Sequence, residues 1–190
     1  AYMSFGKWIG GALGWSLGGP IGGLVGFAVG SLFDKSSAQV QIGTGMPTRS
    51  GDFNMSLVIL SAAVMKADGK AMKSELDYVR GFFAQQFGEE AASEYLRVLK
   101  DVLEKDIPLQ EVCTQIAGFM ALPMRLQLLH YLFGIAKADG HVHTKEVETI
   151  ELIARYMRIP TADYESIRSM FYKEVGGAYT MLEIDASASD

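Results

Sequence analysis

The sequence predicts an all-α protein, and three observations lead to that prediction. From Phe53 onward, apolar residues recur at the spacing of amphipathic helices. No stretch alternates apolar and polar residues as a half-buried strand would. Near the N-terminus, glycines recur at every fourth position, one turn of a helix apart. These seven glycines are Gly6, Gly10, Gly14, Gly18, Gly22, Gly26 and Gly30.

The first element, residues 5–35, has the composition of a membrane segment. No charged residue lies between Lys7 and Asp34, and large apolar residues fill the positions between the glycines. Residues four apart share one helix face, so the glycines form a bare strip on which a second helix can approach closely in lipid. The sequence therefore predicts a glycine-zipper transmembrane helix that binds the lipid bilayer and forms a homo-oligomer through the seven glycines.

Pro20 interrupts this segment and leaves two interpretations open. The apolar run 11–33 has 23 residues, and about 20 suffice to cross a bilayer, so a single kinked span is long enough. The other interpretation is a helical hairpin that turns at Gly18-Gly19-Pro20. The single span is favoured. Residues 36–52 are polar and lack periodicity, which is typical of a linker.

Residues 53–175 are predicted to form a domain of about seven helices with an internal repeat. Lys-Ala-Asp-Gly at 66–69, followed by Glu75, matches Lys-Ala-Asp-Gly at 137–140, followed by Glu146, 71 residues later. In each copy an apolar helix ends at the Asp-Gly turn and a new helix begins after a short loop. Two such helix pairs are expected to pack about a pseudo-twofold axis.

The acids of this repeat, Asp68, Glu75, Asp139 and Glu146, are the candidate ligands of a cation. An Asp at the end of one helix and a Glu in the first turn of the next can converge across the loop. Carboxylates together with loop carbonyls suit calcium or magnesium. Asp-Gly is also ordinary turn chemistry, and a first-turn Glu complements the helix dipole. From the sequence alone, this purely structural role is favoured.

Two histidines, His141 and His143, lie beside Asp139 and raise the alternative of a transition-metal site. The first copy has Lys70 and Met72 at the corresponding positions, so the repeat does not preserve such a site. We therefore expect two exposed loop histidines without a metal.

Composition excludes several other classes of function. The net charge of −5 argues against a nucleic-acid partner, which needs a basic surface. The single cysteine, Cys113, lies in an apolar pattern and is predicted to be a buried packing residue. There is no nucleophile elbow, phosphate loop or dinucleotide fingerprint. The chain is therefore not expected to be an enzyme.

Three segments in order resemble known families. The two Lys-Ala-Asp-Gly…Glu copies resemble the TerB-like domain of tellurite-resistance proteins. Residues 6–10 (Gly-Lys-Trp-Ile-Gly) and 30–35 (Gly-Ser-Leu-Phe-Asp-Lys) resemble the membrane-anchored DnaJ-like co-chaperone (DjlA) family. Residues 178–190 are similar to the opening of a J-domain, although Glu183 replaces a customary glycine.

The resemblance implies an anchor in the bacterial inner membrane and a TerB-like domain facing the cytoplasm. A J-domain acts through a His-Pro-Asp loop, which this sequence lacks. We therefore expect residues 176–190 to be the start of a truncated J-domain or a tail. A DnaK-type chaperone is then a partner only if a J-domain follows. The resemblance also implies contact with a divalent cation at Asp68, Glu75, Asp139 and Glu146, but not at the histidines.

The resulting prediction is a non-catalytic membrane anchor and docking or sensory module of a DnaJ-like co-chaperone. Two alternatives remain. One is a metal-ion-responsive protein of the membrane surface, of the tellurite or metal-stress type. The other is a structural oligomer built by the glycine zipper.

Overall fold

The computed structural model describes residues 15–16, 18–26 and 49–181, with side chains from 53 to 176 in the last range. Within those ranges the regular structure is entirely helical, which confirms the predicted all-α class. A short helical stretch, α1, covers 18–26. The helices that follow are α2 (Arg49–Met65), α3 (Lys73–Phe87), α4 (Glu89–Leu103), α5 (Leu109–Phe119), α6 (Leu122–Ala136), α7 (Thr144–Tyr156) and α8 (Thr161–Met181).

Two helices, α2 and α6, form the centre of the domain. From Leu57 to Met65, almost every α2 residue is buried, and so is α6 from Tyr131 to Ala136. A helix that is apolar on all sides needs neighbours on all sides, and α2 contacts α4, α5, α6 and α7. The Tyr131 hydroxyl lies 2.7 Å from the Ser61 hydroxyl, which donates to the Leu57 carbonyl, so Tyr131 donates to Ser61 where α2 meets α6. The two loops that carry the repeated acids follow directly from these central helices.

The outer helices bury one face each, as their apolar spacing predicts. On α4 the buried side chains are Ala92, Val98, Leu99 and Val102. Prolines lie at two helix starts, where the missing amide costs no helical hydrogen bond: Pro108 precedes α5 and Pro123 lies in the first turn of α6. Cys113 on α5 is buried, as predicted, and burial raises the pKa of its thiol to about 12.

The helical domain is longer at both ends than the sequence boundaries suggest. Helix α2 begins at Arg49, inside the predicted linker 36–52. Helix α8 continues to Met181, beyond the predicted end at residue 175. Extending an existing helix by one residue requires no new nucleation, so weak helix formers such as Gly176 do not stop it. The predicted J-domain start therefore begins, over 176–181, as the end of α8.

The N-terminal segment reverses direction within the described residues. Gly19 has a φ of +61°, and the Trp15 Cβ lies 3.6 Å from where a Cβ on Gly23 would be. In one continuous helix these residues would be about 12 Å apart along the axis. The favoured single kinked span is therefore wrong through 15–26, and the hairpin interpretation describes the turn. The turn arises from the Gly18-Gly19-Pro20 sequence. Gly19 adopts the left-handed conformation, and Pro20 lacks the amide hydrogen that a continuous helix would use.

The described residues contain no helix that is both long and apolar enough to cross a membrane. Of the predicted zipper glycines, Gly6, Gly10, Gly14 and Gly30 lie outside the described residues. Gly18 has open space around its Cβ position. Two glycines of this segment outside the predicted zipper have side-chain neighbours: Gly19 lies against Gln115, and Gly23 lies against Trp15.

Candidate metal centre

The two acidic loops close with the same turn. The amide of Gly69 donates to the Lys66 carbonyl, and the amide of Gly140 donates to the Lys137 carbonyl, both at 3.0 Å. Both glycines have positive φ, +89° and +79°, a conformation that favours glycine over residues with a Cβ. The Lys-Ala-Asp-Gly sequence is thus explained by the turn that it forms. The turn does not fix the Asp side chains, so the groups around each Asp determine its orientation.

Glu75 and Glu146 lie three residues into α3 and α7, and both are almost fully buried, with 2% and 1% of their surface exposed. Glu75 accepts a hydrogen bond from the Met72 amide at 2.7 Å. Neither carboxylate oxygen of Glu146 accepts a hydrogen bond from any donor in the described part of the chain. A buried carboxyl without a partner is costly, so Glu146 requires a proton or a cation.

Asp68 and His143 lie beside the Glu146 carboxyl. One ligand atom from each of Asp68, His143 and Glu146 falls within 4.8 Å of the other two. His143 is the residue that precedes α7, three positions before Glu146. Its Nε2 lies 2.9 Å from Asp139 Oδ2, and the other Asp139 oxygen accepts the His141 amide at 2.9 Å. The three groups therefore converge from the two loops, with Asp139 holding the imidazole.

Burial and like charge shift the pKa values of the two glutamates upward. Burial raises the pKa of Glu146 to about 9, and the adjacent Glu75 adds to the shift. Burial also raises the pKa of Glu75, while its bond from the Met72 amide opposes that rise. The hydrogen bond to Asp139 raises the pKa of His143. At Asp139 burial acts in the upward direction, but the bonds from His143 and the His141 amide prevail and lower the pKa.

This arrangement fits a divalent cation. The cluster supplies carboxylate oxygens and an imidazole nitrogen, which are ordinary ligands of such ions. A cation would pair the orphaned Glu146 oxygens and cancel the repulsion from Glu75. Asp139 would act through His143, because a carboxylate bonded to a ligating imidazole fixes its orientation.

The structure brings together most of the residues that the sequence proposed as ligands. Ligand atoms of Asp68 and Glu146 lie within 4.8 Å of each other, Glu75 is adjacent to Glu146, and Asp139 bonds to His143. The family resemblance implies a site without the histidines, whereas the structure places His143 beside Asp68 and Glu146. The missed signal is the spacing of His143 and Glu146, because the residue before a helix and the third residue within it face the same side.

Two family models match the chain. The model described as tellurite resistance protein TerB matches residues 54–169. The model described as the co-chaperone DjlA transmembrane domain matches residues 3–45. Neither a curated protein nor a solved structure matches. The matched ranges correspond to the helical domain and to the glycine-rich segment before it.

Proposed function

The chain belongs to the TerB family of tellurite-resistance proteins, and on that basis we propose that it is a membrane-anchored, non-catalytic module that binds one divalent cation. The similarity to the DjlA transmembrane domain supports an anchor in the bacterial inner membrane, with the helical domain facing the cytoplasm. The module serves as the docking or sensory part of a DnaJ-like co-chaperone. A DnaK-type chaperone is its partner where a J-domain follows.

The single observation that carries the cation site is the Glu146 carboxyl. It is 1% exposed, has no hydrogen-bond donor among the described groups, and faces Asp68 and His143. The corresponding Glu75 is bonded to the Met72 amide, so only one of the two equivalent acids is available. We infer that the internal repeat supplies a twofold frame and that this asymmetry places one ion, bound by Asp68, His143 and Glu146.

The imidazole favours a different ion from the calcium or magnesium expected from the acids alone. Calcium and magnesium prefer a shell made entirely of oxygen, whereas zinc and manganese accept an imidazole together with carboxylates. His143 is held towards the cluster by Asp139 at 2.9 Å. The site therefore selects zinc or manganese over calcium, and loading with such an ion is the signal that the domain responds to.

Calorimetric titration of the full chain in detergent tests this proposal. We expect one ion per chain, with zinc or manganese binding at least tenfold more tightly than calcium. Glu146→Gln should abolish binding, because it removes the charge and keeps the shape. Glu148→Gln is the matched control, since Glu148 is exposed on the same helix. Absence of heat with every ion, or equal binding by Glu146→Gln and the wild type, would overturn the cation site.

Self-association through the glycine-rich segment is a second part of the proposal. It is supported by the four-residue glycine spacing, which suits close helix contacts in lipid. The mass of the detergent-solubilised chain measures it: Gly18→Leu and Gly22→Leu should reduce the assembly to monomers by keeping the helices apart. An unchanged mass in both variants would count against the zipper and against a purely structural oligomer.

A further inference from the structure

The reversed turn of the glycine-rich segment is bound by one side chain of the helical domain. Gln115, in the middle of α5, donates from Nε2 to the Gly18 carbonyl at 2.6 Å. Its Oε1 accepts the Ile21 amide at 3.1 Å. The contacting residues are 97 and 94 positions apart in the chain. A single carboxamide thus satisfies a carbonyl before Pro20 and an amide after it.

The apolar side chains of α1 continue this contact into the core. Ile21 is only 4% exposed and belongs to the hydrophobic core of the helical domain. Leu24 and Val25 pack against the same core. Trp15, on the other arm of the turn, remains 56% exposed. One face of the segment is therefore held by the domain, while a large aromatic residue stays available to another surface.

Backbone chemistry explains why a glutamine suits this position. The first amides of a helix lack intrahelical acceptors, and the Ile21 amide, directly after Pro20 near the start of α1, is one of them. A glutamine side chain offers a donor and an acceptor together, so it can bind both backbone groups of the turn. Gly19 allows the approach, because a Cβ there would lie 3.1 Å from the Gln115 oxygen and its φ is positive.

The docked turn and a membrane-inserted segment exclude each other. Ile21 cannot lie in the core of the helical domain and in the hydrocarbon of a bilayer at the same time. We propose that Gln115 is a latch that holds the glycine-rich segment on the helical domain, and that its release delivers this segment to the membrane. The latch is independent of the cation site, since it requires only the two hydrogen bonds of Gln115 and the match of the N-terminal segment to a transmembrane domain.

Flotation of the full chain with phosphatidylethanolamine–phosphatidylglycerol vesicles tests the latch. Gln115→Ala removes both hydrogen bonds, so the ratio of vesicle-bound to free chain should rise about three- to tenfold. Gly19→Ala disturbs the same contact on the side of the turn and should also raise the ratio of vesicle-bound to free chain. In vesicle-free buffer, the Ile21 amide should exchange slowly in the wild type and quickly in both variants.

Matched controls separate the latch from general effects on the chain. Gln110→Ala alters an exposed residue of the same helix, and Gly118→Ala alters a glycine of that helix whose Cβ position is open. Gln115→Glu keeps the acceptor for Ile21 and loses the donor to Gly18, so it should give an intermediate ratio. Equal ratios in variants and controls, a wild type wholly bound to vesicles, or fast wild-type exchange at Ile21 would each overturn the latch.

Discussion

Glu75 and Glu146 occupy the same position in the first turns of α3 and α7, yet their surroundings differ. The Met72 amide bonds to Glu75, whereas His143 takes the place of Met72 before α7 and turns its ring to Asp139. The free energy needed to keep the Glu146 carboxylate buried beside Glu75, without a hydrogen-bond donor, must come from the packing of the rest of the domain. Both a proton and a cation reduce that cost, so they compete for the same carboxyl.

Proton binding by Glu146 makes the stability of the ion-free chain depend on pH. Its pKa is about 9 in the folded chain and 4.5 in the unfolded chain, so the folded state holds the extra proton between these values. The stability that this proton contributes is therefore fully present below pH 4.5 and is lost as the pH rises towards 9. Urea unfolding in a chelator should show a fall of at most about 5 kcal/mol from pH 5 to pH 9, because each pH unit between the two pKa values contributes about 1.4 kcal/mol.

Glu146→Gln should remove most of this pH dependence, because the amide does not titrate and keeps the shape of the carboxylic acid. Glu75 keeps a smaller slope of the same sign, since burial also raises its pKa. Asp139 has a lowered pKa and contributes stability only above its unfolded value, so it acts at lower pH. A wild-type chain that gained stability between pH 5 and pH 9 would contradict the assignment.

Gly134 on α6 leaves no room for a side chain. A Cβ at this position would overlap the hydroxyl of Tyr78, whose ring stacks on Tyr131 with centroids 6.1 Å apart. Gly134→Ala should therefore lower the free energy of unfolding by about 1–3 kcal/mol, since the ring must move. Gly118→Ala is the control: its Cβ position is open, and alanine should stabilise α5 by up to about 1 kcal/mol.

The sequence predicted some residues of the proposed cation site, but it did not predict the contact of Gln115 with the N-terminal turn. Asp68 and Glu146 were found because they recur with the same spacing, which is a local pattern. The sequence argues against His143, because the first copy of the repeat has Met72 at that position, yet this difference between the copies is what leaves Glu146 available. Gln115 carries no signal in the sequence, because its role depends on a contact across 94 positions.

At the level of helices, Arg125 joins two helix ends that lie far apart in the chain. From α6, its Nε donates to the Met120 carbonyl at the end of α5, at 3.0 Å. Its Nη1 donates to the carbonyls of Met157 and Arg158 at the end of α7. The last carbonyls of a helix lack intrahelical donors and carry negative charge, so one guanidinium stabilises both ends.

Arg125→Lys should lower the free energy of unfolding by about 1–3 kcal/mol, measured by urea titration at constant pH. A single ammonium cannot reproduce the fixed geometry of the guanidinium towards two helix ends. Arg97→Lys is the control, since Arg97 is 62% exposed and its pair with Glu94 is long, at 3.8 Å. Equal small losses in both variants would show that Arg125 is only a surface charge.

The sequence predicted the presence of the helices more accurately than their ends or the path of the chain. The apolar spacing predicted seven helices after residue 53, and seven are present between Arg49 and Met181. The ends of α2 and α8 differ because weak helix formers still extend an existing helix. The turn at Gly19 was one of two interpretations, and a pattern of glycines cannot decide between them, since it suits a helix face and a turn alike.

At the level of the whole molecule, the proposed cation site lies where the two halves of the domain meet. Asp68 follows α2, and Glu146 lies in the first turn of α7, after the loop that follows α6. These helices are packed on one another, so an ion held by both loops would restrain the α2–α3 and α6–α7 connections together. An ion that binds only the folded chain stabilises it by about 2.7 kcal/mol at a concentration 100 times its Kd.

Hydrogen exchange of the full chain in detergent, with and without zinc, measures this restraint. We expect amide exchange in residues 66–75 and 137–146 to slow by the same factor as the ion is added, because one ligand set closes both loops. Glu146→Gln should leave both loops at their ion-free rates. Slower exchange in only one loop would mean that the ion binds a single copy of the repeat, and the two halves would then not be coupled through it.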